Sequence, residues 1–411
     1  MMFNKITVVG LGYIGLPTAA MFASKKIEVI GVDKNKATVD IVNTGKVHIV
    51  EPELEDIVYK AVNNNYLKAS LKPVPADAFI IAVPTPFKKN SSKTTIPEPD
   101  LSYIKSAAID IAKVLKSGDL IILESTSPVG TTEKLSTWLS EHRKDLTFPL
   151  SHGENSDIRI AYCPERVLPG KIISELVSND RVIGGISKNC SVAASNLYKT
   201  FVKGKCIDTN SRTAEMVKLS ENAYRDINIA YANELSILCD EHNIKTTELI
   251  SLANRHPRVN ILNPGPGVGG HCIAVDPWFL AHASTQNSNL IQAARHVNDY
   301  KKEWVIKKII EKVASLKTIK PKIGILGLSF KPDIDDLRES PAHDIARTLA
   351  GKGFNVMPVE PNVSSVEEMK LFDLKDVMKD ADIIIKLVSH SQFRNLNLNE
   401  AKLLNFVEEI N

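Results

Sequence analysis

One stretch near the start constrains this chain more than any other. It runs Ile6-Thr-Val-Val9, Gly10-Leu-Gly12-Tyr13-Ile14-Gly15, a helix-like segment to about Lys26, then Glu28-Val-Ile-Gly-Val32 and Asp33. The order is strand, glycine turn, helix, strand, acid, the pattern of a βαβ unit that holds a dinucleotide. Gly10 permits the turn, Gly12 lets a diphosphate approach the helix start, and Gly15 lets helix and strand pack. Asp33 suits the two hydroxyls of a ribose and repels a 2′-phosphate, which favours NAD over NADP. Lys34 beside it pulls the other way, and a βαβ unit without a nucleotide would show the same spacing.

Further apolar runs, Ala78–Val83, Asp119–Leu123 and Ile158–Tyr162, are predicted as parallel strands buried on both faces. They end in Pro84-Thr85-Pro86, Glu124-Ser125-Thr126 and Cys163-Pro164-Glu165-Arg166. The carboxyl ends of such strands line the ligand crevice, so these loops are expected to converge on the cofactor. Residues 88–99 lack any periodicity and read as a mobile surface loop.

At 411 residues the chain should divide into two or three domains. With 43% hydrophobic and 24% charged residues it has the make-up of a soluble globular protein, and a net charge of +3 argues against nucleic acid or an anionic membrane. Five scattered cysteines without a C-x-x-C pair speak for reduced thiols rather than a disulfide scaffold or structural zinc. No signal-peptide shape is read at the start and no apolar run reaches the roughly 20 residues a membrane span needs, so a cytoplasmic setting is expected.

Ser211 to about Glu241 contains neither proline nor glycine. Ala214, Val217, Tyr224, Tyr231, Leu235 and Leu238 recur at mostly three- and four-residue spacing, predicting a helix of about 30 residues that serves as spine and dimer surface. Lys218, Asn222 and Arg225 share one face of it, which a solvated charged stripe would do equally. His256-Pro-Arg258 follows, and then Pro264-Gly-Pro-Gly-Val-Gly-Gly-His271-Cys272-Ile-Ala-Val-Asp276-Pro277. Such a loop can pass close under a ligand, and Cys272 on it is either a nucleophile or a merely buried thiol. The Lys, Arg, His and Asn ahead of it suit an anionic sugar nucleotide. Lys322–Phe330 again reads strand then glycine turn, and Phe354–Val359 and Ala381–Val388 as further parallel strands. This second Rossmann-type half lacks the GxGxxG spacing, so it should bind something other than NAD; Lys331 and Arg338 follow its first strand.

Eight motifs in order, VVGLGYIGLPTA, AVPTP, ESTSPVGTTE, CPERVLPG, SRTAEMVKLSENAYRDINIAYANEL, HPRVN, PGPGVGGHCIAVDP and FKPDIDDLRESPA, cover essentially the whole chain. They resemble the UDP-glucose/GDP-mannose dehydrogenases. The resemblance implies an α/β fold of two Rossmann-type domains joined by a long central helix and a helical dimerisation region. The expected boundaries are 1–205 for NAD, 206–318 for the central part with the cysteine loop, and 319–411 for the UDP-sugar. It implies oxidation of a sugar C6 alcohol to a carboxylate, consuming two NAD and no metal, in the making of a cell-surface polysaccharide such as capsule or enterobacterial common antigen. The UDP-glucose branch has serine and lysine where this chain has His271 and Val275, which points to N-acetylated sugars: UDP-N-acetyl-D-mannosamine, with its gluco epimer as rival.

By the same matching Cys272, Lys218, Asn222, Asp276, Glu165 and Thr126 are the catalytic set. Gly10, Gly12, Tyr13, Ile14, Gly15, Asp33, Thr85, Thr126 and Arg338 meet NAD. Arg166, Val167, Lys218, Asn222, Arg225, His256, Arg258, Gly269, Phe330 and Lys331 meet the sugar nucleotide, Arg258 in the partner's site of a homodimer. Family members end in a strand with a buried Asp that is not seen before Asn411, so a truncated C-terminus and an open sheet edge are expected. The rivals are a two-electron hydroxyacid-type dehydrogenase, which has no use for Cys272, a silent NAD-binding sensor, and a metal enzyme, for which His271, Cys272 and Asp276 lack the spacing.

Overall fold

A computed structural model describes residues 3–88, 96–394, 396 and 402–407. The chain forms two compact units, Met1–Ser220 and Glu221–Asn411. Among the described residues no helix is long and apolar enough to cross a membrane.

The first unit is built on eight strands: β1 (Lys5–Val9), β2 (Glu28–Val32), β3 (Leu67–Ser70), β4 (Ala78–Ile81), β5 (Leu120–Leu123), β6 (Arg159–Tyr162), β7 (Arg181–Gly185) and β8 (Cys206–Asn210). Their order is β3-β2-β1-β4-β5-β6-β7-β8, so the direction of winding reverses between β1 and β4. All pairings are parallel except β6 with β7. Side chains of a strand point alternately to the two faces. Ile80 and Ile122 accordingly enter one core layer with Ile6 and Val8, whereas Phe79, Ile81, Ile121 and Leu123 enter the other. Burial on both faces is why these runs are apolar throughout.

Three strands escape the sequence reading. β3 is short and polar on one face, and β8 is an exposed edge strand that begins at Cys206, directly past the expected boundary at residue 205. β7 ends in Gly184-Gly185, where an added Cβ would stand 2.5 Å from the Asn210 carbonyl oxygen and 2.3 Å from that of Ser187. The expected mobile loop falls largely on residues 89–95, outside the described residues. Its flanks are pinned, Phe87 bridging Pro99 and Lys88 pairing with Glu98.

The long helix is confirmed at Ser211–Glu241. Asn210 accepts from the Thr213 amide at its start, and Asn243, in the left-handed conformation, follows its end. Glu215 accepts from the amides of Gly130 and Thr132 and from the Thr132 hydroxyl, capping the helix that follows the Ser125–Gly130 loop. Of the expected apolar stripe only Ala214 is fully buried; Tyr224 is 72% and Tyr231 56% exposed, with Leu238 also outside. The buried line is instead Ala223, Asp226, Ala230, Asn233 and Cys239.

In the second unit, helices Thr246–Ala253, Asp276–Ala283 and Asn289–Ala314 precede a parallel sheet of β9 (Lys322–Leu326), β10 (Asn355–Val359), β11 (Ile383–Lys386) and β12 (Leu403–Asn405), ordered β10-β9-β11-β12. Ile323, Ile325, Ile383 and Ile385 pack with Val305 and Ile309 of the long preceding helix. The sheet edge expected to be open is thus occupied: β12 pairs with β11, Ile384 facing Leu403, and carries Asn405 rather than an Asp.

Candidate active site

The glycine turn lies where the sheet order reverses. Gly10 has φ +97°, and a Cβ on it would meet the Ala82 carbonyl oxygen at 2.4 Å. A Cβ on Gly15 would stand 1.8 Å from the Gly10 carbonyl oxygen, whereas one on Gly12 would meet nothing within 4 Å. Gly12 therefore serves no packing need, and the space over it is left open. The helix Gly15–Ser24 behind it has no side-chain cap and no acid in its first turn, so no carboxylate of its own opposes an anion at its start. Asp33 accepts from the Leu11 amide at 3.0 Å and from the Asn35 amide at 2.8 Å, which fixes the acid at the end of β2. Tyr13 packs half-buried against the core beside this turn. These features fit a dinucleotide.

Two of the neighbouring strand ends are bonded to each other. The Thr85 hydroxyl donates to the Thr126 carbonyl at 2.6 Å, joining the loops after β4 and β5. Glu165, after β6, is 8% exposed; its Oε1 accepts from the Arg166 amide and its Oε2 from Arg181. Arg166 donates to the Asp180 carbonyl, and Val167, partly buried, packs against the core.

The second unit gathers the thiol loop and the segment after β9. The Gly270 amide donates to the Arg338 carbonyl at 3.1 Å. A Cβ on Gly269 would meet the Glu339 carbonyl oxygen at 2.6 Å, and one on Gly270 the Phe330 ring at 2.8 Å. Glycine is therefore required for the two segments to touch. Cys272, half-buried and free of any disulfide, accepts from the Val275 and Asp276 amides through its carbonyl, forming the turn that opens the helix Asp276–Ala283. Asn222 donates to the buried Asp276 carboxylate at 2.5 Å. Lys218 precedes Asn222 by one helical turn and is half-buried; Arg225 is exposed. Phe330, Lys331, Gly269, Cys272, Asn222 and Asp276 thus belong to loops and a helix that are tied together. His256 and Arg258 lie apart on an exposed turn, where the His256 ring accepts from the Arg258 amide. None of the five cysteines is joined in a disulfide.

Several contributors have no mark in the sequence. Asp336 holds Arg338 through both oxygens, and its Oδ2 stands 3.9 Å from His271. Burial opposes its ionisation, yet the bonds to Arg338 win and hold the carboxyl below its ordinary range. His390 and Glu360, both buried, meet at 3.0 Å beneath the loop bearing Phe330, and Glu360 also accepts from the amides of Leu328 and Ser329. Burial works against the Glu360 carboxylate too, but His390 and the two amides keep it low. Glu124 and Arg181 lie behind Glu165. Nothing in a sequence distinguishes these charged residues from surface ones, because their burial is set by the chain packed over them.

A dinucleotide cradle at a sheet switch point, with a second Rossmann-like unit carrying a thiol loop, defines an NAD-dependent oxidoreductase. The chain belongs to the UDP-glucose/GDP-mannose dehydrogenase family: residues 4–202 match its NAD-binding domain, 212–300 its central domain and 324–408 its UDP-binding domain. It is 56% identical to UDP-N-acetyl-D-mannosamine dehydrogenase of Campylobacter jejuni, over 98% of this chain and 99% of that protein. It is equally, 56%, identical to NDP-N-acetyl-D-galactosaminuronic acid dehydrogenase of Ralstonia nicotianae, over 96% of this chain and 93% of the relative. Among solved structures, UDP-D-ManNAc dehydrogenase of Pyrococcus horikoshii superimposes with a TM-score of 0.87 at 37% identity, covering 98% of this chain and 93% of that one.

Proposed function

We propose that the protein oxidises the C6 alcohol of UDP-N-acetyl-D-mannosamine to the carboxylate, in the cytoplasm, as a step in making a cell-surface polysaccharide. The observation that carries this reading is Cys272, a half-buried thiol on a glycine loop one turn before a buried Asp276 that is bonded to Asn222. A two-electron dehydrogenase has no use for that thiol. NAD, held by Gly10, Gly12, Tyr13, Ile14, Gly15, Asp33, Thr85, Thr126 and Arg338, supplies the hydride acceptor and is consumed twice per sugar.

Lys218 and Asn222 stabilise negative charge on O6 as the alcohol is oxidised, and Asp276 holds the water that takes its proton. Cys272 then adds through Sγ to the aldehyde carbon, so the reactive intermediate cannot escape, and further oxidation of that carbon gives a thioester. Glu165, with Thr126, activates the water that hydrolyses it. Arg166, Val167, Arg225, His256, Gly269, Phe330 and Lys331 bind the sugar nucleotide, and Arg258 completes the partner's site in a homodimer. Residues 1–205, 206–318 and 319–411 divide these tasks as cofactor, central and nucleotide-sugar regions.

The relative named for the galacto sugar supports a second reading, since it is as similar as the manno-named one. A panel of the UDP-linked manno, gluco and galacto N-acetylhexosamines, followed by NADH absorbance, separates the readings. The manno epimer should turn over fastest with two NADH per sugar. One NADH per sugar would overturn the covalent route, and faster turnover of another epimer would reassign the substrate.

A further inference from the structure

Arg181 opens β7 and is 3% exposed. Its Nη2 donates to Glu165 Oε2 at 2.7 Å, and its Nη1 lies 3.7 Å from Glu124 Oε1 and 3.8 Å from Cys163 Sγ. The face of the guanidinium covers the Tyr198 ring at 4.5 Å and the Phe201 ring at 5.7 Å, which leaves the group little freedom to turn. Glu124 Oε1, the oxygen nearest Arg181, also accepts from the Tyr198 hydroxyl at 2.9 Å, and its Oε2 accepts from the Thr18 hydroxyl at 3.2 Å. One buried cation thus serves two buried carboxylates, only one of which is bonded to it directly. Such a cluster is costly to bury, and it fixes the orientation of its members more than it stabilises the fold.

We propose that Arg181 is a positioning residue for Glu165, aiming its carboxylate at the hydrolytic water, and that Glu124 competes for the same guanidinium and so sets how strongly Arg181 withdraws charge from Glu165. The proposal rests on the reading of Glu165 as the base of thioester hydrolysis. In that step the water oxygen bonds to the thioester carbon while one of its protons passes to Glu165. The carbon–sulfur bond then breaks, Cys272 leaves as thiolate, and the proton returns to it or to solvent; water and thioester become acid and thiol with no change of oxidation state. The groups facing Glu124 are Arg181 of β7, Glu165 and Cys163 after β6, Tyr198, and the uncharged Thr18. Burial, then the charge of Glu165, pushes the Glu124 carboxyl up to about 7, while burial pushes the Cys163 thiol to about 12.

Stopped-flow NADH traces and intact mass of the full-length enzyme, mixed with NAD and the UDP-sugar it turns over fastest, test this. Arg181→Gln should keep a rapid burst of two NADH per site and then release acid about 100-fold more slowly, the scale of a mispositioned general base. The acyl adduct should be found on Cys272, NAD and sugar-nucleotide affinities should hold, and Arg181→Lys should recover part of the rate. The double variant with Glu165→Gln should be no slower than Glu165→Gln alone. Wild-type hydrolysis should quicken as pH rises through about 7, when Glu124 ionises and draws on Arg181, and Glu124→Gln should flatten that limb. Glu124→Gln also serves as the test if Arg181→Gln does not fold. Adduct in Glu165→Gln but not in Arg181→Gln, additive losses, or an unchanged pH limb in Glu124→Gln would overturn the positioning role. No adduct in Glu165→Gln would overturn the base assignment and the proposal with it.

Discussion

At the scale of single residues, the chemistry turns on a few side chains whose neighbours decide what they can do. Cys272→Ser should keep NAD and sugar-nucleotide binding and lose about 1000-fold or more in acid production, because an alkoxide nucleophile is not available at neutral pH. Isothermal titration beside product analysis checks both halves, and full acid production would refute the thioester. Asn222→Ala removes a hydrogen bond to a carboxylate that is 2% exposed. Deleting a donor to a buried charged acceptor costs about 1–3 kcal/mol. The expected result is a turnover number reduced about tenfold or more with NAD affinity unchanged, since the cradle at Gly10–Gly15 includes no part of this pair.

At the scale of elements, the two glycines of the first turn make opposite predictions. Gly15→Ala places a methyl against the backbone of Gly10. Neither atom belongs to a flexible side chain, so the helix must move off the strand at a cost of about 1–3 kcal/mol. Thermal unfolding of the ligand-free protein should fall by several degrees and NAD binding should weaken with it. Gly12→Ala meets nothing in the folded chain. Its melting temperature should stay where it was while the NAD dissociation constant rises at least tenfold; a matching drop in melting temperature would mean that Gly12 is structural. Elements were most legible where burial is two-sided. The apolar runs that became β1, β4, β5 and β6 stood out, while β7 and β8, with glycines or polar edge residues, did not. β12 could not be anticipated either, because a three-residue edge strand is created by the strand it pairs with.

At the scale of the whole molecule, Tyr224, Tyr231 and Leu238 recur every seven residues on the outside of the long helix, all well exposed in the single chain. Aromatic residues so placed suit a surface that a second copy covers. Sedimentation equilibrium should give a dimer, and Tyr231→Glu should shift it to monomer with loss of activity, since Arg258 is proposed to complete the partner's site. A fully active monomer would remove both claims. The periodicity showed that this stripe exists; whether it faced the core or the outside was not readable, because a half-apolar helix offers both Ala223-type and Tyr224-type lines for burial.

What the sequence by itself determined is the local chemistry: a glycine turn followed by an acid, a proline- and glycine-free helix, and a thiol on a glycine loop. These are set by steric demands within a few residues, so spacing alone displays them. The tertiary structure decided which charges are buried and what they serve. Arg181 shared between Glu165 and Glu124, Glu360 against His390, and Asn222 on Asp276 are contacts between segments apart in the chain. Their electrostatic roles come from the low-dielectric surroundings that packing creates, a property that no residue carries on its own.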